Sequence, residues 1–214
     1  MKLLIIGATG QVGQKTVDAA LADGHDVTGF GRSTDKIEQP RNGLTVAKGD
    51  VTNQADIDAA MPGHDAVILT FGAPPARENI MHQPSLCEDG TRKVIASMQT
   101  HGVPRLVCMT AIGAGESEGH GRFVFRNLIE PVLLGRIMKD RTAQEELVKG
   151  SSLPEWVIVR PTELSDGESK PVRVIEDLEN EPEPTTIART DVGKFLSKVA
   201  TDRSWDGKAI LVTN

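Results

Sequence analysis

A chain of 214 residues with a formal net charge of −6 is long enough for one sizeable α/β domain and short for two. Its acidic balance argues against a surface built to neutralise nucleic-acid phosphates, which shows as a basic stripe or a strongly basic domain. Two distant cysteines, Cys87 and Cys108, suggest no disulfide framework; Cys108 lies in an apolar run where a small buried thiol is expected, and a reducing cytoplasm fits.

The opening "MKLLII" is apolar for only four residues before Gly7, too short for an export core or a membrane span. A soluble, cytoplasmic protein with no membrane partner is therefore expected. Apolar runs then recur at 3–6, 26–30, 44–48, 66–70, 105–109, 156–160 and 209–212. Several lack period-two alternation, which is the pattern of strands covered by helices on both faces. Between the first two runs, Val17 and Leu21 predict a helix with one apolar stripe that ends at Gly24. Between the fourth and fifth, Val94, Ile95 and Met98 sit at helical spacing ahead of Gly102 and Pro104. Before the sixth, "RTAQEELVKG" carries Ala143 and Leu147 with a stop at Gly150. The acidic, proline-bearing stretch 176–186 reads as a surface loop, and Thr190 reads as the cap of a late helix in "TDVGKFLSKVA". Strand and helix alternating in this way predict a doubly wound parallel sheet, a three-layer α/β/α Rossmann fold in a single domain over 1–214, with a small C-terminal substrate-side region at about 162–190.

At the first strand-to-helix turn stands "GATGQVGQ", with Gly7, Gly10 and Gly13. There the backbone can approach a diphosphate closely, the helix can pack tightly on the strand, and the helix N-terminus points unpaired N–H groups at the phosphates. The spacing is G-x-x-G-x-x-G rather than G-x-G-x-x-G, so the standard dinucleotide fingerprint is not met, and a glycine-rich turn without a ligand is the alternative. The buried strand before it and the amphipathic helix after it supply the context the motif requires.

"LLIIGATGQVG" resembles the glycine motif of the short-chain dehydrogenase/reductase superfamily in its extended and atypical branches. "GRS", "GDVTN", "ILTFGAPP", "VCMTAIGAG" and "IVRPTELSDG" match its further stations, so the likeness spans nearly the whole chain. It is greatest to small NAD(P)H-binding proteins grouped with biliverdin-IXβ/flavin reductases and with redox-sensing regulators of transcription. The resemblance implies a cofactor held by Gly7, Thr9, Gly10, Gln11, Val12 and Gly13. It implies Asp50 and Val51 beside the adenine, Thr70, Phe71 and Gly72 along the path to the nicotinamide ribose, with Met109 also near the cofactor, and Pro161 and Thr162 near the nicotinamide ring. After the second strand, where an acid would select NAD, the chain has Gly31, Arg32 and Ser33; an arginine there suits the 2′-phosphate of NADP(H). A solvated surface charge is the alternative for Arg32.

Typical members reduce carbonyls with a tyrosine and a lysine four residues later, because the alkoxide formed by hydride addition needs a proton donor. This chain contains no tyrosine. Aligning on Glu145 leaves Arg141 at the lysine position and Ile137 at the tyrosine position; aligning on Lys139 leaves Gly135 there. Thr110 takes the hydroxyl position after the fifth strand, as a group orienting substrate or ribose or as a strand-end residue bonded to backbone. A flavin or quinone spreads the charge over a conjugated ring and takes its proton from solvent, so a bound reduced cofactor and a flat pocket suffice.

The pocket wall is expected from loops 72–84, 112–127 and 162–170, beyond the carboxyl ends of the strands. His82 and His120 read chiefly as exposed loop histidines, and Met81, Phe123 and Phe125 as lid or core packing or contacts to a flat ring. Arg122, Arg126, Arg136, Lys139 and Arg141 read mainly as a solvated helix face that could attract a flavin phosphate. No metal site is read. The expected activity is an NADPH-dependent oxidoreductase passing hydride to a small-molecule electron acceptor, a flavin, a quinone or a similar conjugated compound. A non-catalytic NADP(H)-binding redox sensor is the second reading, and sugar-nucleotide epimerisation or dehydration the third. The assembly is a monomer or a homodimer, and nucleic acid is not expected as a partner.

Overall fold

The computed structural model describes residues 1–37, 41–74, 76, 79, 81, 82, 84–120 and 134–214. The first apolar run forms β1 (Lys2–Ile6). Leu3 and Ile5 pack into one core cluster and Leu4 and Ile6 into another, because successive side chains on a strand point to opposite faces. The same division holds in β4 (Ala66–Leu69), β5 (Arg105–Met109) and β6 (Glu155–Pro161). Val107, Val157 and Val159 join the first cluster, while Leu106, Cys108 and Ile158 join the second.

With β2 (Asp26–Gly31), β3 (Leu44–Lys48), a short β8 (Arg173–Ile175) and β10 (Lys208–Thr213), these strands make an eight-stranded sheet in the order β3-β2-β1-β4-β5-β6-β10-β8. Only the β10–β8 pairing is antiparallel. The order reverses between β1 and β4, the switch point at which such sheets bind ligands beyond their carboxyl ends. Two further strands, β7 (Leu164–Ser165) and β9 (Ile187–Ala188), form a small parallel pair in the C-terminal region.

Helix α1 (Gln11–Ala22) covers one face together with α5 (Arg189–Val199). Gly193 makes their close approach possible: a Cβ there would lie 2.6 Å from the Lys15 carbonyl carbon. Helices α2 (Gln54–Ala60), α3 (Leu86–His101) and α4 (Gly135–Lys149) cover the other face. The architecture is the doubly wound three-layer fold read from the sequence.

Four details depart from the sequence reading. A helix at 54–60 was not anticipated; it is short, and Asn53 caps it by accepting from the Ala55 N–H. Helix α4 begins at Gly135, six residues before the Arg141 start implied by "RTAQEELVKG". Thr190 does not cap α5: the helix begins at Arg189 behind Ala188, without a side-chain cap, because β9 delivers the chain directly into the first turn. The short strands β7, β8 and β9 were also missed, each being too brief to show a pattern.

Asp140 of α4 is 1 % exposed and accepts from the backbone N–H groups of Cys87 at 3.0 Å and Glu88 at 2.9 Å. It thus caps α3 from another helix, a role that Ser85, the residue before α3, does not fill with its own side chain. Asp140→Ala is expected to cost about 1–3 kcal/mol, from two orphaned donors in a buried site. Urea unfolding measures it, and a loss below about 0.5 kcal/mol would refute the capping role.

Candidate functional site

The turn after β1 is shaped by contacts that leave no room for side chains. Gly7 has φ +95°, and a Cβ there would lie 2.6 Å from the Phe71 amide nitrogen. A Cβ on Gly13 would lie 2.1 Å from the Gly7 carbonyl oxygen, so α1 rests directly on the turn. Gly10 precedes α1 and offers no capping side chain, and no acid occupies the first turn. The helix therefore presents its first backbone N–H groups and the positive end of its dipole to the space above the turn. An anion suits that position.

The space is a cleft of about 250 Å³ bounded by the ends of β1, β2, β3 and β4. Of the residues read from the sequence, it brings together Gly7, Thr9, Gly10, Arg32, Asp50, Val51, Thr70, Phe71 and Gly72. The sequence reading named Gly31 beside Arg32 without a contact of its own and missed Ile6, Phe30, Gly49 and Leu86; all five also line it. Gly49, like Gly31, followed a predicted strand and could have been noticed. A Cβ on Gly31 would meet Thr9 at 2.9 Å, and one on Gly49 would meet the Phe30 ring at 2.5 Å.

Arg32 is exposed at the end of β2. Nearby Asp50 turns its carboxylate into its own turn, accepting from the Thr52 N–H and hydroxyl, both at 2.9 Å. The Thr52 N–H is the main reason the Asp50 pKa falls below its usual value, and the Arg32 charge adds to the effect. Ser33 is half-buried before a short 3₁₀ turn, Thr34–Lys36. Phe71 lies with its ring against Gly90 of α3, which the Val51 side chain also approaches. Gln11 is exposed at the start of α1, while Val12 is buried; neither they nor Gly13 form the cleft wall, and Gly13 acts through its packing.

Met109, Thr110, Pro161 and Thr162 are buried at the ends of β5 and β6, off the cleft wall. Thr110 is 2 % exposed and its hydroxyl donates to Glu145 Oε1 at 2.8 Å, so its partner is a side chain rather than backbone. Glu145 is 1 % exposed and is gripped through both oxygens by Arg160, whose Nε lies 2.9 Å from Oε1. Burial works against the Arg160 charge, but the hydrogen bonds and attraction from Glu145 and Glu116 outweigh it and raise the Arg160 pKa. Glu145 thus accepts from Arg160 through both oxygens, and the Thr110 hydroxyl spends its proton on the same carboxyl group. Burial raises the pKa of both Cys87 and Cys108, so neither offers a thiolate near neutral pH.

The solvated basic face anticipated on α4 requires correction. Arg136 and Lys139 are exposed, but Arg141 is 8 % exposed and donates to the Met109 carbonyl and to Gln144 Oε1, each at 3.0 Å. It points inward because α4 packs against the sheet with this side of the helix. Met81 and His82 are exposed, and His120 is half-buried with Nδ1 3.2 Å from the Glu118 carbonyl oxygen. Arg122, Phe123, Phe125 and Arg126 lie outside the described residues. Among the described residues there is no group of acids, histidines and cysteines able to hold a metal, and no helix long and apolar enough to cross a membrane.

Residues 7–203 match the family described as NAD(P)H-binding. The chain belongs to that family. It is 25 % identical over 221 aligned positions to an uncharacterized sugar epimerase, YhfK, of Bacillus subtilis, covering 100 % of this chain and 94 % of the relative. Against three other curated relatives, the chain spans 31 %, 46 % and 46 % of their lengths, less than half in each case. Among solved structures it superposes on ChuY, an anaerobillin reductase of Escherichia coli O157:H7, with TM-score 0.79, 22 % identity, and coverage of 100 % and 97 % of the two chains. It also superposes on a wide-type short-chain dehydrogenase/reductase of Veillonella parvula in complex with NADP, with TM-score 0.81, 18 % identity, and coverage of 100 % and 94 %. As a member of the NAD(P)H-binding family, the chain has the fold and turn of a nicotinamide dinucleotide binder. The uncapped α1 terminus and the glycine cradle fit the diphosphate of such a cofactor.

Proposed function

We propose that this NAD(P)H-binding chain is an NADPH-dependent reductase that passes hydride to a flavin, a quinone or a similar conjugated acceptor. The observation that carries this reading is the commitment of the Thr110 proton to Glu145, in a chain that contains no tyrosine. A carbonyl reductase or an epimerase needs a general acid or base at the reacting carbon. Here the one hydroxyl at the expected strand end already donates to a carboxyl group paired with Arg160. Conjugated acceptors avoid that requirement because their added charge is delocalised and solvent can supply the proton.

When bound, the dinucleotide supplies the hydride. The chain's own residues bind and orient it. Gly7 and Gly10 let the backbone approach the diphosphate, and the N–H groups at the start of α1 hold its charge. Arg32 favours a 2′-phosphate, Val51 offers apolar contact for the adenine, and Phe71 lies along the path to the nicotinamide ribose. NADP-bound and reductase relatives of the same fold support the cofactor class.

Two measurements test the reading. NADPH absorbance followed with excess flavin mononucleotide, then with a soluble quinone, is expected to show multiple turnovers. Tight NADPH binding without turnover on a broad acceptor panel would favour the redox-sensor reading instead. Arg32→Asp is expected to weaken NADPH about 10–100-fold, from loss of a charge-assisted contact and gain of repulsion, while NADH changes little. Equal weakening of both nucleotides in calorimetry would remove the role assigned to Arg32.

A further inference from the structure

The cleft runs from Arg32 and Asp50 at the ends of β2 and β3, past the α1 terminus, to Gly72 after β4. If the diphosphate crosses the α1 terminus and the 2′-phosphate meets Arg32, as proposed above, the nicotinamide half must extend beyond Gly72 toward the end of β5. Arg141 waits there. A Cβ on Gly72 would lie 2.0 Å from Arg141 Nη2, so glycine at that position is what lets the guanidinium lie against the chain. Arg141 is almost fully buried, and both of its hydrogen-bond acceptors, the Met109 carbonyl and Gln144 Oε1, are neutral.

Among the described residues no carboxylate forms an ion pair with Arg141. The acids nearest along α4 are occupied elsewhere: Asp140 caps α3, and Glu145 is held by Arg160 and Thr110. A buried guanidinium whose hydrogen-bond acceptors are both neutral is unusual, since buried charges are directly paired in nearly all cases. It also resists any second positive charge brought close to it in a medium of low dielectric.

We propose that Arg141 makes this chain select the reduced, uncharged nicotinamide over the oxidised, cationic one. The two forms of the cofactor share every other group, so a fixed cation beside the ring discriminates between them by charge alone. The inference rests on the dinucleotide reading above but not on turnover. In a reductase it speeds departure of the oxidised cofactor, and in a sensor it makes occupancy follow the ratio of the two forms.

Calorimetry of the full chain with NADPH and, separately, NADP⁺ at one pH and salt concentration is the test. NADPH is expected to bind at least about tenfold more tightly, the size of a unit-charge interaction across several ångströms of partly screened protein. Arg141→Met should narrow the ratio to about twofold, Arg141→Lys should keep most of it, and neither should alter binding of 2′,5′-ADP, which has no nicotinamide. Equal affinities for the two cofactors in the unaltered chain would overturn the inference whatever the variants do. So would an unchanged ratio in Arg141→Met, or a parallel loss of 2′,5′-ADP binding, which would mark Arg141 as merely structural. If the unaltered chain bound none of the three nucleotides, the dinucleotide reading itself would fall, and the inference with it.

Discussion

Gly13→Ala is expected to weaken NADPH binding by about 100-fold and to lower the melting temperature. The added Cβ would sit 2.1 Å from the Gly7 carbonyl oxygen and 2.9 Å from both the Gly7 carbonyl carbon and the Ala8 Cα. All three are backbone atoms, so no side-chain rotation relieves the clash. Helix α1 must lift away from the turn, and its N–H groups move with it. Overpacking of this kind costs about 1–3 kcal/mol in stability, and a shift near 1 Å at a positioning element can cost about two orders of magnitude in function. Gly10→Ala is the control for stability. Its Cβ would lie 3.3 Å from the Gly7 oxygen, and its φ of −78° suits alanine, so its melting temperature should fall much less. Calorimetry with NADPH and thermal unfolding measure both. Normal affinity and stability in Gly13→Ala would show that the packing of α1 on the turn does not position the site.

Arg160→Met is expected to destabilise the fold by about 3–5 kcal/mol, the usual cost of stranding a buried carboxylate by removing its partner. Glu145 is the stranded group, at 1 % exposure. Among the described residues Lys149 also pairs with it, 3.7 Å from Oε2. The double variant Arg160→Met with Glu145→Leu should recover a large part of the loss, because removing both charges also removes their desolvation penalty. Chemical denaturation of the two single variants and the double variant completes the cycle, and strict additivity would refute the coupling. The cluster also extends to Glu116, whose pKa is held down to about 2 by hydrogen bonds from Lys149 and then Arg160. A carboxyl lowered in the folded state stabilises above its unfolded pKa and loses that contribution as pH falls toward the folded value. The Glu116 part therefore persists near neutral pH and fades between about pH 4.5 and 2. It is small, because the Glu116 side chain is 66 % exposed and solvent screens it.

The lining of the cleft was legible because its parts lie close together in sequence and depend on backbone. Gly7, Thr9 and Gly10 follow one strand, Arg32 ends the next, and Asp50 and Val51 follow the third; each is placed by a strand end that the hydrophobic runs had located. The lining glycines Gly31 and Gly49 were equally local but were given no contact of their own, because their close neighbours, Thr9 and the Phe30 ring, lie outside their own turns. Arg141 was misread for a different reason. A helix with Arg136, Lys139 and Arg141 has no sequence mark to say which cation faces inward, and tertiary packing alone turned Arg141 toward Met109 and Gly72.

Arg105 makes the same point at the opposite end of β5. It opens an apolar run and is 1 % exposed, with its guanidinium donating to the carbonyl of Val199, the last residue of α5, to that of Asp202 just beyond it, and to Asp206. Nothing local announces a buried arginine whose partners lie about a hundred positions later. What the sequence by itself determined was the strand-and-helix alternation, the parallel three-layer sheet and the glycine turn that opens α1, since these follow from periodicity and from backbone freedom that only glycine supplies. What the tertiary structure alone decided was the fate of the charges: Asp140 as a cap for another helix, Glu145 joined to Arg160 and Thr110, and Arg141 buried beside the cleft. A buried charge is tolerated only where distant partners complete its hydrogen bonds, and those partners exist only once the chain has folded.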